Sequence, residues 1–364
     1  MIIGIDASNI RTGGGKKHLE NFVISSIKEF KEIEFVIVSN KNINSMFSGE
    51  IRVTTITNPF LNINGFFSLI SQFFFSKFYF RSHNCKVIFV PGGIFLSSFK
   101  PFITMSQNML PFDNFEMKRF KFLKRFKFKL IKYFQVLTFN KSNGIIFLSD
   151  YAREVILNKI KTSKNNVVIP HGIEIQKKNN YLQKTDYFDI LYVSDFLPYK
   201  HQFNVVKAIK ELIIEGYNIQ LTLIGQTDNK QFKKIKSLIN EKDDLKKRIK
   251  IEGKIDFFNI PNYFKKSSLF LFASTCENLP FILLEAISYG MPVISSNKRP
   301  MCDMLYGEQI FFNSTDTDSI KEIIKNNLDY QKLQKISNEN YLLSKKYNWT
   351  KNVKNTIRFI KSQV

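Results

Sequence analysis

The sequence predicts an α/β chain made of two doubly wound parallel-sheet domains. Three observations carry this. Short runs of β-branched and aromatic residues alternate with longer amphipathic stretches along both halves of the chain, the pattern of successive βα units. At 364 residues with 44% hydrophobic content, the chain has length for about two domains and apolar material for two cores. Between the halves lies a polar stretch, EIQKKNNYLQKTDYF at 174–188, which reads as a linker.

In order, residues 1–6 read as a buried strand, followed by Gly13-Gly14-Gly15 and a helix over about 16–29. Strands are expected at 35–38, 51–57, 86–90, 103–106 and 144–148. Residues 58–76 carry no charge and are rich in Phe, but Asn62, Asn64, Gly65 and Gln72 interrupt the apolar runs. A core or interfacial helix fits that pattern better than a membrane span. Past the linker, strands are expected at 190–193, 219–224, 249–252, 269–273 and 293–296, with a helix over 201–215 and a last helix from Trp349 to about 362. The expected division is therefore 1–173, a linker at 174–188, 189–347, and a terminal helix at 348–364.

Composition excludes several classes. Residues 1–6 show no basic n-region or cleavage site, so no secretory signal is expected, and a cytoplasmic setting is the expectation. Three scattered cysteines (Cys85, Cys276, Cys302) give neither a disulfide framework nor a zinc site. Four histidines (His18, His83, His171, His201) lack metal-ligand spacing. The net charge of +23 attracts anionic partners. No Walker A, zinc-finger or RNA-recognition signature points to nucleic acid, which is not an expected partner.

The densest signal runs from Ser274 to Ser295. An apolar strand enters a polar turn, STCENLP, and Pro280 opens a helix, as proline prefers the first helical position. Gly290 and Pro292 close it before another strand. Glu285 sits among Leu283, Leu284 and Ala286, where an ionised side chain is costly unless it is matched. The helix start after Asn278 presents backbone N–H groups and a positive dipole end, which suit a phosphate. A carboxylate able to hold sugar hydroxyls beside such an amide nest suggests a nucleotide-sugar site.

Glu277 and Glu285 within ENLPFILLEAISYGMPVISS resemble the signature of family 4 glycosyltransferases. That resemblance covers nearly the whole chain and is strongest between residues 166 and 313. It implies the GT-B fold, two doubly wound parallel-sheet Rossmann-like domains facing a cleft. The N-terminal domain would lie on the acceptor side, and the C-terminal domain would bind the nucleotide-sugar. The last helix, which follows a tryptophan, would cross back onto the first domain. The resemblance also implies a retaining, metal-independent transfer with no cofactor, from a UDP- or GDP-sugar to a hydroxyl of a lipid-linked or growing cell-surface glycan. In it the leaving phosphate oxygen helps take the acceptor proton.

The same resemblance implies residue roles. Glu285 would hold the ribose hydroxyls, Glu277 would face the donor sugar, and the N–H groups of Phe281 and Ile282, beside Asn278, would meet phosphate or sugar. Gly14 and Gly15 would lie beside the donor diphosphate. Read alone, that glycine turn is also explained as a simple turn, and it is not the G-x-G-x-x-G of a dinucleotide site. Gln107 and Asn108 stand where many members carry His-Asp, so Gln107 offers hydrogen bonds but no imidazole base. A strand-end turn capped by Asn108 explains the same residues. In Ser194-Asp195-Phe196-Leu197-Pro198-Tyr199-Lys200, Lys200 matches the diphosphate-binding lysine. Asp195 occupies the position of the usual arginine. Either Lys200 with backbone amides suffices, or another cation such as Lys254 or Arg299 takes over. Glu277, Lys200 and Gln107 are thus the candidate catalytic residues, and Glu285, Phe281, Ile282, Asn278, Gly14, Gly15 and Ser194 the candidate donor-binding ones.

Two alternatives stay open. A pair of glutamates also suits glycosidase chemistry, which would need both to flank one scissile bond. The Asp195 departure leaves room for a non-catalytic glycan- or anion-binding protein on the same scaffold. Finally, residues 117–134 interleave Lys and Arg with Phe, Leu and Ile. As a helix this gives a cationic face, and Lys121, Lys124, Arg125 and Lys127 are expected to hold an anionic membrane surface at the inner face of the membrane. An ordinary solvated helix face is the competing reading.

Overall fold

The computed structural model describes residues 1–161, 165–178, 187–227, 230–305 and 310–364. Much of the expected linker, 179–186, lies outside the described residues. The chain divides into two compact units. The first holds Met1–Met117, Lys121–Gly172 and Tyr347–Val364. The second holds Lys118–Phe120 and Ile173–Lys346.

The first unit is built on a parallel sheet of β1 (Ile2–Asp6), β2 (Glu34–Val38), β3 (Val53–Ile56), β4 (Val87–Val90), β5 (Phe102–Met105), β6 (Gly144–Phe147) and β7 (Asn166–Val168). Their order is β3-β2-β1-β4-β5-β6-β7. The central strands are apolar at nearly every position, as sheets covered on both faces require: Val-Ile-Phe-Val of β4 is wholly buried. Phe22, on the helix Gly13–Glu29, meets the rings of Phe35 and Phe89 on one side of the sheet. Leu61, Phe80, Phe95 and Phe99 join Ile88 and Phe102 in a second cluster. Gly4 lets the helix Lys77–Ser82 approach β1 closely, since a Cβ there would fall 2.6 Å from the Phe80 ring.

The terminal helix Trp349–Lys361 also belongs to the first unit. Asn348 caps it, accepting from the Lys351 N–H at 2.8 Å. Asn352 donates to the Pro170 carbonyl at 2.6 Å. Trp349 lies so close to Gly172 that a Cβ there would meet it at 2.6 Å.

The second unit carries β8 (Phe188–Val193), β9 (Ile219–Ile224), β10 (Ile249–Gly253), β11 (Leu269–Phe272), β12 (Val293–Ser296) and β13 (Ile310–Phe312). All are parallel, in the order β10-β9-β8-β11-β12-β13. The helix Gln202–Ile214 buries Val205, Val206, Ile209 and Leu212.

Three local expectations change. The single helix over 58–76 is broken at Asn64, whose backbone is extended and whose side chain accepts from the N–H groups of Phe66 and Phe67. The result is Pro59–Ile63, Gly65–Ser71, a π-turn Gln72–Ser76 and Lys77–Ser82. The basic helix starts at Phe122 and runs to Lys141 rather than spanning 117–134, because Lys121 is extended and residues 118–120 belong to the second unit. Pro280 is the cap of its helix rather than its first residue. The helix is Phe281–Ser288.

Candidate active site

In the second unit, β8 and β11 are hydrogen-bonded neighbours, with Ile190 opposite Leu269 and Leu191 opposite Phe270. The loops leaving their C-terminal ends are therefore adjacent, where open α/β sheets bind ligands. One loop carries Ser194 to Lys200 and the other Ser274 to Pro280.

The two loops are joined by an ion pair. Lys200 Nζ donates to Glu277 Oε1, and the two side chains are only 12% and 15% exposed. Ser274 Oγ donates to the same Oε1 at 2.5 Å. The ammonium lies 5.3 Å from the centroids of both the Tyr199 and Phe272 rings, and ring faces favour cations. The buried Tyr192 hydroxyl donates to the Lys200 carbonyl. Burial, helped by the negative charge of Glu277, pushes the Tyr192 hydroxyl well above the usual tyrosine range. Tyr192 is thus a neutral donor that fixes the Lys200 backbone.

His201 completes the support. Its backbone is left-handed, with φ of 52°, and its Nε2 is 3.0 Å from Thr275 Oγ1. The Tyr199 carbonyl accepts from the Thr275 N–H at 2.9 Å and from its hydroxyl at 3.2 Å. Burial, with the charge of Arg119, lowers the imidazole to about 4. His201 is therefore uncharged at neutral pH and acts as a strut.

Asp195 has a structural task. Its carboxylate accepts from the Gln226 N–H at 3.1 Å, and its carbonyl from Gln202 Nε2 at 2.9 Å. Ser194 extends the β8–β9 pairing through its N–H to the Ile224 carbonyl, at 2.8 Å. Gly225 is needed beside it, because a Cβ would fall 2.0 Å from the Ser194 carbonyl oxygen. Of the two cations considered as substitutes for the missing arginine, Arg299 is paired with Asp303 at 2.6 Å and Lys254 is exposed.

The helix Phe281–Ser288 follows the Glu277 turn. Its first intrahelical bonds run from the Leu283 and Leu284 N–H groups to the Pro280 carbonyl, at 3.1 and 3.2 Å. The N–H groups of Phe281 and Ile282 precede that ladder. Glu285 is buried at 9% exposure, one turn in, and Asn278 is buried in the preceding turn.

In the first unit, the glycine turn and Gln107 come together. A Cβ on Gly15 would lie 3.2 Å from Gln107 Oε1. Gly13 is left-handed, with φ of 67°, and Gly14 is exposed at the helix start. Gln107 Nε2 is 3.3 Å from Met105 Sδ.

Sequence reasoning missed a polar node at the end of β1. The fully buried Asp6 accepts from Ser8 Oγ at 2.6 Å, Gln72 Nε2 at 2.9 Å and Ser76 Oγ at 3.0 Å. Burial raises its carboxyl above the ordinary aspartate value, and these hydrogen bonds oppose the rise. The signal was present: Ser68, Gln72 and Ser76 recur every four residues through an otherwise Phe-rich stretch. The pairing of Lys200 with Glu277, and the supports Ser274, Tyr192 and Thr275, were missed as well. Among the described residues no cluster of three His, Cys, Asp or Glu is placed to hold a metal ion.

The chain is similar to known proteins in sequence and in fold. The chain is 28% identical to the capsular polysaccharide biosynthesis glycosyltransferase CapH of Staphylococcus aureus over 280 residues, 73% of this chain and 74% of that one. It is 25% identical over 191 residues, 49% of each chain, to the Escherichia coli UDP-Gal:alpha-D-GlcNAc-diphosphoundecaprenol alpha-1,3-galactosyltransferase. The crystal structure of Anabaena HepE in complex with UDP and glucose superposes with a TM-score of 0.73 at 14% identity, covering 100% of both chains. Two parallel-sheet units of this kind make up the GT-B fold. Residues 174–360, over half of the chain, match the family of group 1 glycosyl transferases, and the protein belongs to that family.

Proposed function

We propose that this enzyme moves a sugar from a UDP- or GDP-sugar to a hydroxyl of a lipid-linked or growing surface glycan, with retention of configuration and without a metal. One observation carries this reading: Lys200 and Glu277 form a largely buried ion pair at the C-terminal ends of β8 and β11, in a chain of this family. Lys200 meets the donor diphosphate and steadies the leaving group as charge develops. Glu277 faces the donor sugar, with Ser274 and Lys200 fixing its Oε1. Glu285 takes the ribose hydroxyls, and the N–H groups of Phe281 and Ile282 take phosphate or sugar oxygens with the helix dipole. Asn278 and Ser194 line the same loops. In the first unit, Gly14 and Gly15 are assigned to donor binding and Gln107 to catalysis by hydrogen bonding.

The CapH and galactosyltransferase relatives support a capsule or lipopolysaccharide-type glycan as product and a lipid-linked acceptor. No helix among the described residues is long and apolar enough to cross a membrane. We assign the basic helix to an anionic membrane surface at the cytoplasmic face, through the exposed Lys121, Lys124 and Lys127 and the half-buried Arg125.

The test is turnover of a panel of nucleotide sugars, with and without EDTA. Release of UDP or GDP from one donor, unaffected by EDTA, is expected. Turnover abolished by EDTA and restored by magnesium or manganese contradicts the metal-independent reading. Absence of donor binding contradicts the assignment altogether.

A further inference from the structure

The middle of the arm between β3 and β4, residues 65–78, is inside-out, although the arm's ends bury Leu61 and Phe80. Its inward side is polar: Ser68, Ser71, Gln72 and Ser76 are at most 1% exposed. Each has a polar partner within the first unit. Ser68 accepts from Arg11 at 2.8 Å, Ser71 from Asn58 at 2.7 Å, and Gln72 and Ser76 donate to Asp6. Its outward side is aromatic: Phe66, Phe73, Phe74 and Phe78 are 68%, 63%, 66% and 68% exposed. A helical segment in a water-soluble protein places these residue types the other way round. Single exposed apolar residues are ordinary, but a contiguous set of large rings marks an interaction surface.

The occupant follows from charge and from topology. From 58 to 82, and again from 118 to 141, every charged residue is basic. The β3-to-β4 and β5-to-β6 crossovers advance in the same direction across the sheet. Right-handed connections therefore put the arm and the basic helix Phe122–Lys141 on one face. The loop after β4 stitches them together: the Leu96 N–H donates to Gln72 Oε1 at 3.3 Å, and the Phe95 N–H to Thr138 Oγ1 at 2.9 Å. The basic helix adds its own exposed apolar residues, Phe122, Leu123 and Phe126. Exposed rings beside uniformly basic side chains match the boundary of an anionic bilayer, where rings enter the acyl region and cations meet headgroups.

We propose that the Phe66–Phe78 face of the arm inserts into an anionic lipid surface, and that it, rather than the basic helix, supplies the salt-resistant part of membrane binding. This deepens the membrane assignment made above and rests on it. The charged helix attracts over a distance that salt shortens. The rings act only on contact and are indifferent to salt, each contributing roughly tenfold in partitioning.

The test is co-sedimentation of the full chain with phosphatidylcholine vesicles containing phosphatidylglycerol, at low and high salt. Replacing Phe66, Phe73, Phe74 and Phe78 by Ser is expected to leave low-salt binding measurable and to lower high-salt binding by at least about tenfold. In Phe74→Trp, the added indole is expected to be quenched by brominated lipid, over a constant background from the buried Trp349. Unchanged high-salt binding by the serine variant, or an indole emission of Phe74→Trp untouched by brominated lipid, overturns the proposal. So does a serine variant that loses a dimer yet binds vesicles normally, which makes the face an interface between copies. Charge reversal at Lys121, Lys124, Arg125 and Lys127 reads the helix separately: if low-salt binding survives it, the charged-helix assignment fails while the arm result stands. Turnover of a soluble acceptor by the serine variant is expected to match the parent.

Discussion

Lys200 and Glu277, 77 residues apart in sequence, close an ion pair across the ends of β8 and β11. Both side chains are largely shielded from water, so each charge depends on the other. Removing one partner of such a pair leaves an uncompensated charge and costs about 3–5 kcal/mol, whereas removing both costs far less. We expect Lys200→Met and Glu277→Gln each to lower stability measurably, and the double variant to recover most of the loss without recovering turnover. Denaturant titration of the four proteins checks this. Strict additivity of the two single effects means that the pair is not coupled.

Glu285 is buried in the helix Phe281–Ser288, one turn from its start. Glu285→Ala is expected to weaken binding of the donor nucleotide by about 1.5–3 kcal/mol, the worth of a charge-assisted hydrogen bond. Calorimetry with UDP and GDP on the folded variant measures it. An unchanged affinity removes the ribose assignment.

Asp195 accepts from the Gln226 N–H and is exposed, which gives the aspartate at this position a local structural reason. Asp195→Asn keeps an acceptor and should be nearly silent. Asp195→Ala should cost about 1 kcal/mol of stability or less, with turnover within a few-fold of the parent. A collapse of turnover in Asp195→Asn would mean that the carboxylate charge itself serves the reaction.

The pair His18 and His171 sets an acid limit on stability. The Nδ1 atoms are 3.1 Å apart in the core of the first unit, beside Trp349. Burial lowers His18 to about 3. Burial, and then His18, lower His171 well below its ordinary value. Both are neutral in the folded protein, while the unfolded chain takes up protons below about 6.5. Their contribution is therefore complete above that pH and is lost as pH falls from it toward the folded values. At about pH 5 the loss is roughly 2 kcal/mol for His18 alone. Unfolding free energies measured at about pH 7.5 and about pH 5, on either side of the unfolded value, are expected to differ in this sense, and His18→Gln should flatten the slope. An equal slope in that variant contradicts the assignment.

What the sequence shows and what it hides have physical reasons. The strands are legible because buried parallel strands are continuous apolar runs, as in Leu-Phe-Leu-Phe of β11. The helix carrying Glu285 is legible from Pro280 and Gly290, although proline stands one place earlier than its usual first-turn preference suggests. The Lys200–Glu277 pair is not legible, because it depends on β8 and β11 lying side by side, with seventy-odd residues between the two side chains. The Asp6 node is hidden for the same reason: Gln72 and Ser76 reach it from 66 and 70 residues away. The break at Asn64 was visible as a polar interruption, but its capping of Phe66 and Phe67 depends on an extended backbone that composition does not dictate.

The most direct test of the central claim is the turnover of Lys200→Ala at saturating donor, beside its affinity for that donor. Charge on the diphosphate grows as the glycosidic bond breaks, so a fixed cation helps the transition state more than the ground state. The expected result is a kcat lower by about two to three orders of magnitude, with donor affinity changed much less. A kcat within a few-fold of the parent, in a folded variant that still binds donor, would show that Lys200 does not serve the leaving diphosphate.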